Sequence, residues 1–201
     1  IGFDQLLCVK NKKPFEVLVF NSDGSEADNC INGLRCIAFL YSLNNETVYI
    51  KDKKFVVRST ESGAEVSGAL PIVNKNNNYY VINFGNNHLA REYPDIEKIN
   101  LESEYIKLRG SKEFEEIKNF NLSIYKNSKN SIEIRTYENG TGETLSCGSA
   151  TVSVAYALLK NTNKNELLFT SKGGKTKVLI DNESVTSTAN AVILEQGFLN
   201  G

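Results

Sequence analysis

Apolar residues fall in short alternating runs along most of this chain, and only two stretches are apolar enough to predict buried central helices. Residues 15–20 (Phe-Glu-Val-Leu-Val-Phe) have the β-branched, alternating character of a strand. Residues 21–29 are polar and turn-rich and predict a loop. From about Asn32 the pattern becomes helical, with Leu34, Ile37, Ala38, Phe39, Leu40 and Tyr41 mostly apolar. Short strands are predicted at 47–50, 55–58, 65–67 and 79–84, and a short helix within 94–105. The order then repeats. Residues 131–137 alternate as a strand, 138–146 form a second turn-rich loop, and 150–160 form a second apolar helix. Strands at 166–170, 176–180 and 191–194 follow, with Gly173-Gly174 as a hairpin turn. Strand, loop, helix and strands, twice over, predict an α+β protein of two similar halves; the repeat is too long and sparse for a solenoid.

A cysteine stands before each helix. The first lies in Asn21-Ser22-Asp23-Gly24-Ser25-Glu26-Ala27-Asp28-Asn29-Cys30-Ile31-Asn32-Gly33, the second in Glu138-Asn139-Gly140-Thr141-Gly142-Glu143-Thr144-Leu145-Ser146-Cys147-Gly148-Ser149-Ala150. Each follows a Gly/Ser/Thr-rich turn with a Glu four residues ahead. A thiol at a helix start feels unpaired backbone N–H groups and the positive dipole end, which favour a thiolate. The same N–H groups can hold a carboxylate. Two such helix starts facing each other would grip one carboxylate, and the thiols would flank its α-carbon as acid and base. A lone Cys before an apolar helix is ordinarily a small core residue; the pairing of contexts is what lifts Cys30 and Cys147 above that reading. Cys8 and Cys36 are read as core residues.

Composition narrows the function classes. With 23 Lys+Arg against 24 Asp+Glu, no basic field argues for nucleic acid or a membrane surface. No apolar run reaches the roughly 20 residues of a membrane span, and no signal peptide is visible. Four Cys are too few, and wrongly spaced, for a disulfide scaffold or a zinc site, so a reducing cytoplasm is the simpler setting. The single His, His88, excludes a His-rich metal site, and no Gly-x-Ser-x-Gly elbow supports a Ser-His-Asp triad. Glu143 is read as a cap for backbone donors. The glycines near 140 form neither a GxGxxG nor a P-loop. The chain contains no Met and opens within a motif at Ile1-Gly2-Phe3-Asp4-Gln5. An N-terminal segment is therefore expected to precede it, and methionines are expected to be missing between apparent neighbours such as Ser67 and Gly68.

These motifs resemble the diaminopimelate epimerase family of PLP-independent amino-acid epimerases. The resemblance runs nearly end to end: Gly2-Phe3-Asp4-Gln5, Asn21-x-Asp23-Gly24-Ser25-Glu26, Cys30-x-Asn32-Gly33-x-Arg35-Cys36, Gly85-Asn86-x-His88, Gly142-Glu143-Thr144-x-x-Cys147-Gly148-Ser149 and Gly197-Phe198. It implies two pseudo-symmetric domains, each a barrel-like, mostly antiparallel sheet around a central helix, with the site in the cleft between. Residues 1–70, completed by 191–201, are expected to form one half, and 71–190 the other. By matching motif, Cys30 and Cys147 would be the acid/base pair, with His88 and Glu138 contacting the reacting amino group or supporting the thiols. Asn32, Gly33, Gly148 and Ser149 would hold the α-carboxylate. Asn21, Asn86 and Asn121 would bind the remote end, and Gln5 would line the site. The implied reaction interconverts LL- and meso-diaminopimelate in lysine and peptidoglycan precursor synthesis. It needs no cofactor and no metal, takes a small amino acid as partner, and is compatible with a homodimer. Three positions depart from the family: Ile31 for its Gly, Asn139 for the Arg that grips the distal carboxylate, and Asn87 for its Pro. Asn139 is neutral and shorter than Arg, so the resemblance leaves another amino acid as an alternative substrate. β-branched Ile31 is expected to restrict the backbone where a substrate approaches closely, and with the expected missing start it leaves a non-catalytic or thiol-redox role as a further alternative.

Overall fold

A computed structural model of the chain describes residues 4–117, 119–195 and 197. In chain order it contains β1 (Gln5–Lys12), β2 (Phe15–Asn21), α1 (Ile31–Leu40), β3 (Glu46–Ile50), β4 (Lys53–Ser59) and β5 (Gly63–Ala69). Next come β6 (Ile72–Asn76), β7 (Tyr79–Asn83), β8 (Asn87–Glu92), α2 (Leu101–Arg109) and a 3-10 turn at Lys112–Phe114. The remainder is β9 (Phe120–Asn127), β10 (Ile132–Glu138), β11 (Gly142–Thr144), α3 (Gly148–Leu159), β12 (Glu166–Ser171), β13 (Gly174–Ile180) and β14 (Ser184–Asn190).

The strands form one continuous sheet in the order β1-β2-β3-β4-β5-β14-β13-β12-β10-β9-β8-β7-β6, with β11 on β10. Pairing is antiparallel except at β2/β3, β8/β9 and β10/β12. Two of those parallel pairs carry the internal repeat. β2 runs into the first Cys loop, α1 crosses over, and β3 returns parallel to β2 before turning back into β4. β10 runs into the second Cys loop, α3 crosses over, and β12 returns parallel to β10 before turning back into β13. Such crossovers demand a helix buried against the sheet. All of α3 except Tyr156 and Leu158 is buried, which explains why its sequence is apolar on every side. Leu34 and Ala38 of α1 share one apolar cluster with Val152, Val154 and Ala155 of α3 and with Val19, Val57, Phe169 and Val178 of the sheet. A second cluster forms around α2, from Leu89, Ile96, Leu101, Tyr105, Phe114 and Leu122. Among the described residues, no helix is long and apolar enough to cross a membrane.

Several expectations are corrected. The helix predicted within 94–105 starts only at Leu101, because Asn100 caps the Ser103 N–H at 2.9 Å and Asp95 closes a turn on Glu97. Residues 191–194 form no strand; Val192 and Leu194 are exposed there. In the β12–β13 hairpin Ser171 faces Gly174, so Lys172 and Gly173 make the turn. β1, β6, β8, β9, β11 and β14 have no counterpart among the strands the sequence predicts. Cys36 is exposed and Cys8 half-buried, so neither is a core residue; α1 instead turns Arg35 inward. Of the expected motif residues, Gly2, Phe3 and Phe198 lie outside the described residues, as do 196 and 199–201 of the segment assigned to complete the first half.

Candidate active site

The two cysteines occupy equivalent positions. Cys30 is the N-cap of α1 and Cys147 the N-cap of α3, each 7% exposed. Neither helix has an acidic side chain in its first turn, whereas α2 carries Glu102 and Glu104 there. The first N–H groups of any helix lack intrahelical acceptors, so these two starts keep their positive ends free for an anionic ligand.

The helix starts meet. A Cβ on Gly148 would lie 2.7 Å from Asn32 Oδ1 and 2.8 Å from Ile31 Cβ, so only glycine fits at that contact. The Asn32 side-chain amide donates to the Ser146 carbonyl at 2.9 Å, tying α1 to the residue before Cys147. Ile31 is buried and takes the first helical position of α1, where its φ lies in the ordinary negative range. The expected backbone restriction at this β-branched residue therefore does not arise; its side chain fills the gap opposite Gly148. Gly33 is equally constrained, since a Cβ there would come 2.4 Å from Leu7 Cδ2 and 2.8 Å from Cys30 Sγ.

Behind the thiols the two halves differ. The Cys30 Sγ–H donates to Gln5 Oε1 at 2.6 Å, and Sγ accepts the Gly33 N–H at 3.1 Å. Gln5 passes its own N–H to Asn21 Oδ1 at 2.9 Å, and the Asn21 amide reaches Ser25 Oγ. Burial pushes the Cys30 thiol up to about 12. Cys147 lies 3.4 Å from Ser149 Oγ and hydrogen-bonds Glu138; burial first, then the Glu138 charge, push its thiol well above the usual range. Burial also raises Glu138 above the ordinary carboxyl range, against hydrogen bonds from Thr144, at 2.6 Å, and from Cys147. One thiol is thus backed by a neutral amide and the other by a carboxyl.

His88 is fully buried, and burial pulls it down to about 3, so it is neutral. Its Nε2 pairs with Asn86 Oδ1 at 3.0 Å while Nδ1 is buried without a partner. His88 stands opposite Asn121 on β9, and Asn121 Oδ1 accepts the Asn139 N–H at 2.9 Å. Asn86, His88, Asn121, Asn139 and Glu138 therefore form one connected wall. Asn29, unremarked in the sequence, joins that wall to the Cys30 loop by donating to the Phe84 carbonyl at 2.8 Å. Lys53 does the same by bridging the Asp28 and Gly85 carbonyls. Glu143 is not a cap: it pairs with Arg135 and Lys172 on the outer face. Thr144, the residue that orients Glu138, also escaped the sequence reading, because its role depends on β11 folding back on β10.

A continuous sheet wrapped around two crossover helices whose cysteine-capped starts abut defines the class: the fold is the barrel-like α+β fold of solved epimerase-type proteins. A PhzF-family phenazine biosynthesis protein of Bacillus anthracis superposes with a TM-score of 0.69 at 16% identity, over 92% of this chain and 81% of that one. A hydroxyproline epimerase of Agrobacterium vitis superposes at 0.58 and 10% identity, over 91% and 70%. In sequence, the family model for diaminopimelate epimerase matches residues 80–194. Diaminopimelate epimerase of Flavobacterium psychrophilum is 30% identical over 197 residues, covering 92% of this chain and 77% of the relative. That of Buchnera aphidicola is 31% identical over 200 residues, covering 83% and 70%. The chain belongs to the diaminopimelate epimerase family, and is an isomerase of the epimerase type.

Proposed function

We propose that this chain interconverts LL- and meso-diaminopimelate in the cytoplasm by a two-thiol mechanism, supplying lysine and peptidoglycan precursors. The observation that carries the reading is the abutment of two cysteine-capped helix starts at Ile31, Asn32 and Gly148. The substrate α-carboxylate sits on the N–H groups of Asn32, Gly148 and Ser149, and the Gly33 N–H turns to it from Cys30 Sγ, so that charge developing after proton loss is stabilised. Cys147 passes its proton to Glu138 and, as thiolate, takes the α-proton. Cys30, whose S–H is held by Gln5, returns one to the opposite face. The reverse direction exchanges the roles. Gln5 cannot accept a proton and Glu138 can, so Cys147 is the thiol that starts as base. The bare Nδ1 of neutral His88 accepts a hydrogen bond from the substrate ammonium, and Asn21, Asn86 and Asn121 bind the far end of the substrate.

A second reading rests on Asn139. Its Oδ1 accepts the Tyr105 hydroxyl at 2.7 Å and its N–H serves Asn121, which leaves no cation at this position for a distal carboxylate. On that reading the substrate is another amino acid.

The test follows loss of the α-C–H signal by NMR for LL-diaminopimelate in deuterated water under reducing conditions. Cys147→Ser serves as control, beside a panel of monocarboxylate amino acids. Exchange of diaminopimelate that is abolished in Cys147→Ser is expected. Exchange surviving in Cys147→Ser would sink the two-thiol mechanism, and faster exchange of a monocarboxylate substrate would favour the second reading.

A further inference from the structure

Arg35 of α1 takes no part in the two-thiol chemistry, yet only 4% of it is exposed. Its Nη1 donates to Asn32 Oδ1 and its Nη2 to Ser187 Oγ, both at 2.7 Å. Both acceptors are neutral. Its Nε is buried without a partner, and no carboxylate pairs with it among the described residues. Burial pulls the guanidinium down only to about 10, so it stays charged at neutral pH. A buried cation facing neutral acceptors alone is an expensive arrangement, and buried charges are ordinarily paired.

Arg35 opens onto a cavity of about 510 Å³ between α1, the Ser146 entry to α3, the β12–β13 hairpin and the end of β14. Its wall includes Lys175, Asn32, Thr176 and Asn190, and among the described residues no acidic one lines it. Lys175 is exposed and has no ion-pair partner among the described residues. A fork-shaped guanidinium, an ammonium and neutral polar side chains around one hollow make a site of single sign, chemically suited to an oxyanion.

We propose that this cavity binds a small oxyanion, phosphate or carboxylate, between Arg35 and Lys175, separately from the substrate. The site touches the catalytic cleft through Asn32, whose Oδ1 receives Arg35 and whose amide holds the Ser146 carbonyl ahead of Cys147. An anion that draws on Arg35 therefore acts on the clamp between the two helix starts.

The experiment titrates the intact protein with inorganic phosphate and, separately, malonate by calorimetry, at ionic strength held constant with chloride and with no substrate present. Because it reads binding alone, its outcome does not depend on turnover or on which amino acid is the substrate. Saturable binding of one or both anions is expected, with the tighter one identifying a phosphate or a carboxylate source. Lys175→Ala, a surface change that leaves the fold alone, is expected to weaken it about tenfold, as loss of one charge-assisted contact implies. Arg35→Gln is expected to abolish it. No saturable binding by the unmodified protein, or binding unchanged in Lys175→Ala, would overturn the proposal.

Discussion

Gln5 and Glu138 stand behind the two thiols with different chemistry, and the difference has a measurable consequence. Burial raises the Glu138 carboxyl, so its stabilising, protonated form is present below the ordinary pKa of about 4.3 and is lost as pH rises through the raised folded value. Above that raised value the ionised Glu138 therefore burdens the fold. Glu138→Gln keeps an acceptor for the Thr144 hydroxyl and removes the charge. It should melt higher than the parent at pH 7, with the gain shrinking toward pH 4, while α-proton exchange falls by at least about a hundredfold, the usual worth of a general base. Thermal melts over that pH range together with exchange rates check both halves; a lower melting temperature at pH 7 would show that the charge is compensated. The identities of such residues were legible because Cys30, Cys147, Glu138 and His88 sit in motifs. Their protonation was not. That Cys30 holds a proton against Gln5 while Cys147 faces a carboxyl depends on which side chains β1 and β10 bring up behind each thiol, and β1 carries too little alternation to announce itself.

At the scale of elements, the contact between α1 and α3 decides whether there is a single cleft. Ile31 and Gly148 are complementary: one fills the space that the other leaves. Gly148→Ala would drive a methyl into Ile31 and Asn32, pushing the helix starts apart. Overpacking of this kind costs about 1–3 kcal/mol, and a shift near 1 Å in a positioned site costs on the order of a hundredfold in rate. Ile31→Gly in the Gly148→Ala background removes the Cβ at 2.8 Å as well as the Cγ2 at 3.0 Å, and should return part of both by giving the methyl room. Urea titration and exchange kinetics of the two variants measure it. Failure of the double variant to recover would mean that Asn32, rather than Ile31, sets the spacing. The sequence announced both helices, since α1 and α3 are apolar beyond what one exposed face allows, and it marked Ile31 as unusual. It could not say that Ile31 lies across from Gly148, because that pairing spans more than a hundred residues. Strands β8 and β9 were missed for the opposite reasons. β8 is short and partly polar, whereas β9 does alternate over Phe120-Asn121-Leu122-Ser123-Ile124 but buries both faces, Asn121 and Ser123 included.

At the scale of the molecule, β14 is the seam. It pairs with β5 along seven residues, from Ser184 opposite Ala69 to Asn190 opposite Gly63, and with β13 on its other edge. Its sequence, Ser-Val-Thr-Ser-Thr-Ala-Asn, is too polar to read as a central strand, yet Val185 and Ser187 are fully buried and Ser187 receives Arg35. Because the sheet is continuous here and α1 and α3 share one apolar cluster, neither crossover unit has a core of its own to fall back on. We therefore predict a single cooperative unfolding transition, despite the internal repeat. Val185→Ala removes two buried methyl groups at the seam, a loss of about 2 kcal/mol. Hydrogen exchange followed by mass spectrometry reads the effect on α1 and α3 separately. If the seam couples them, slow amides of both helices lose protection by the same amount. Loss confined to α3 would mean that the β2–α1–β4 unit holds without β14, and the cleft would then be a hinge between separately stable parts, free to open without unfolding.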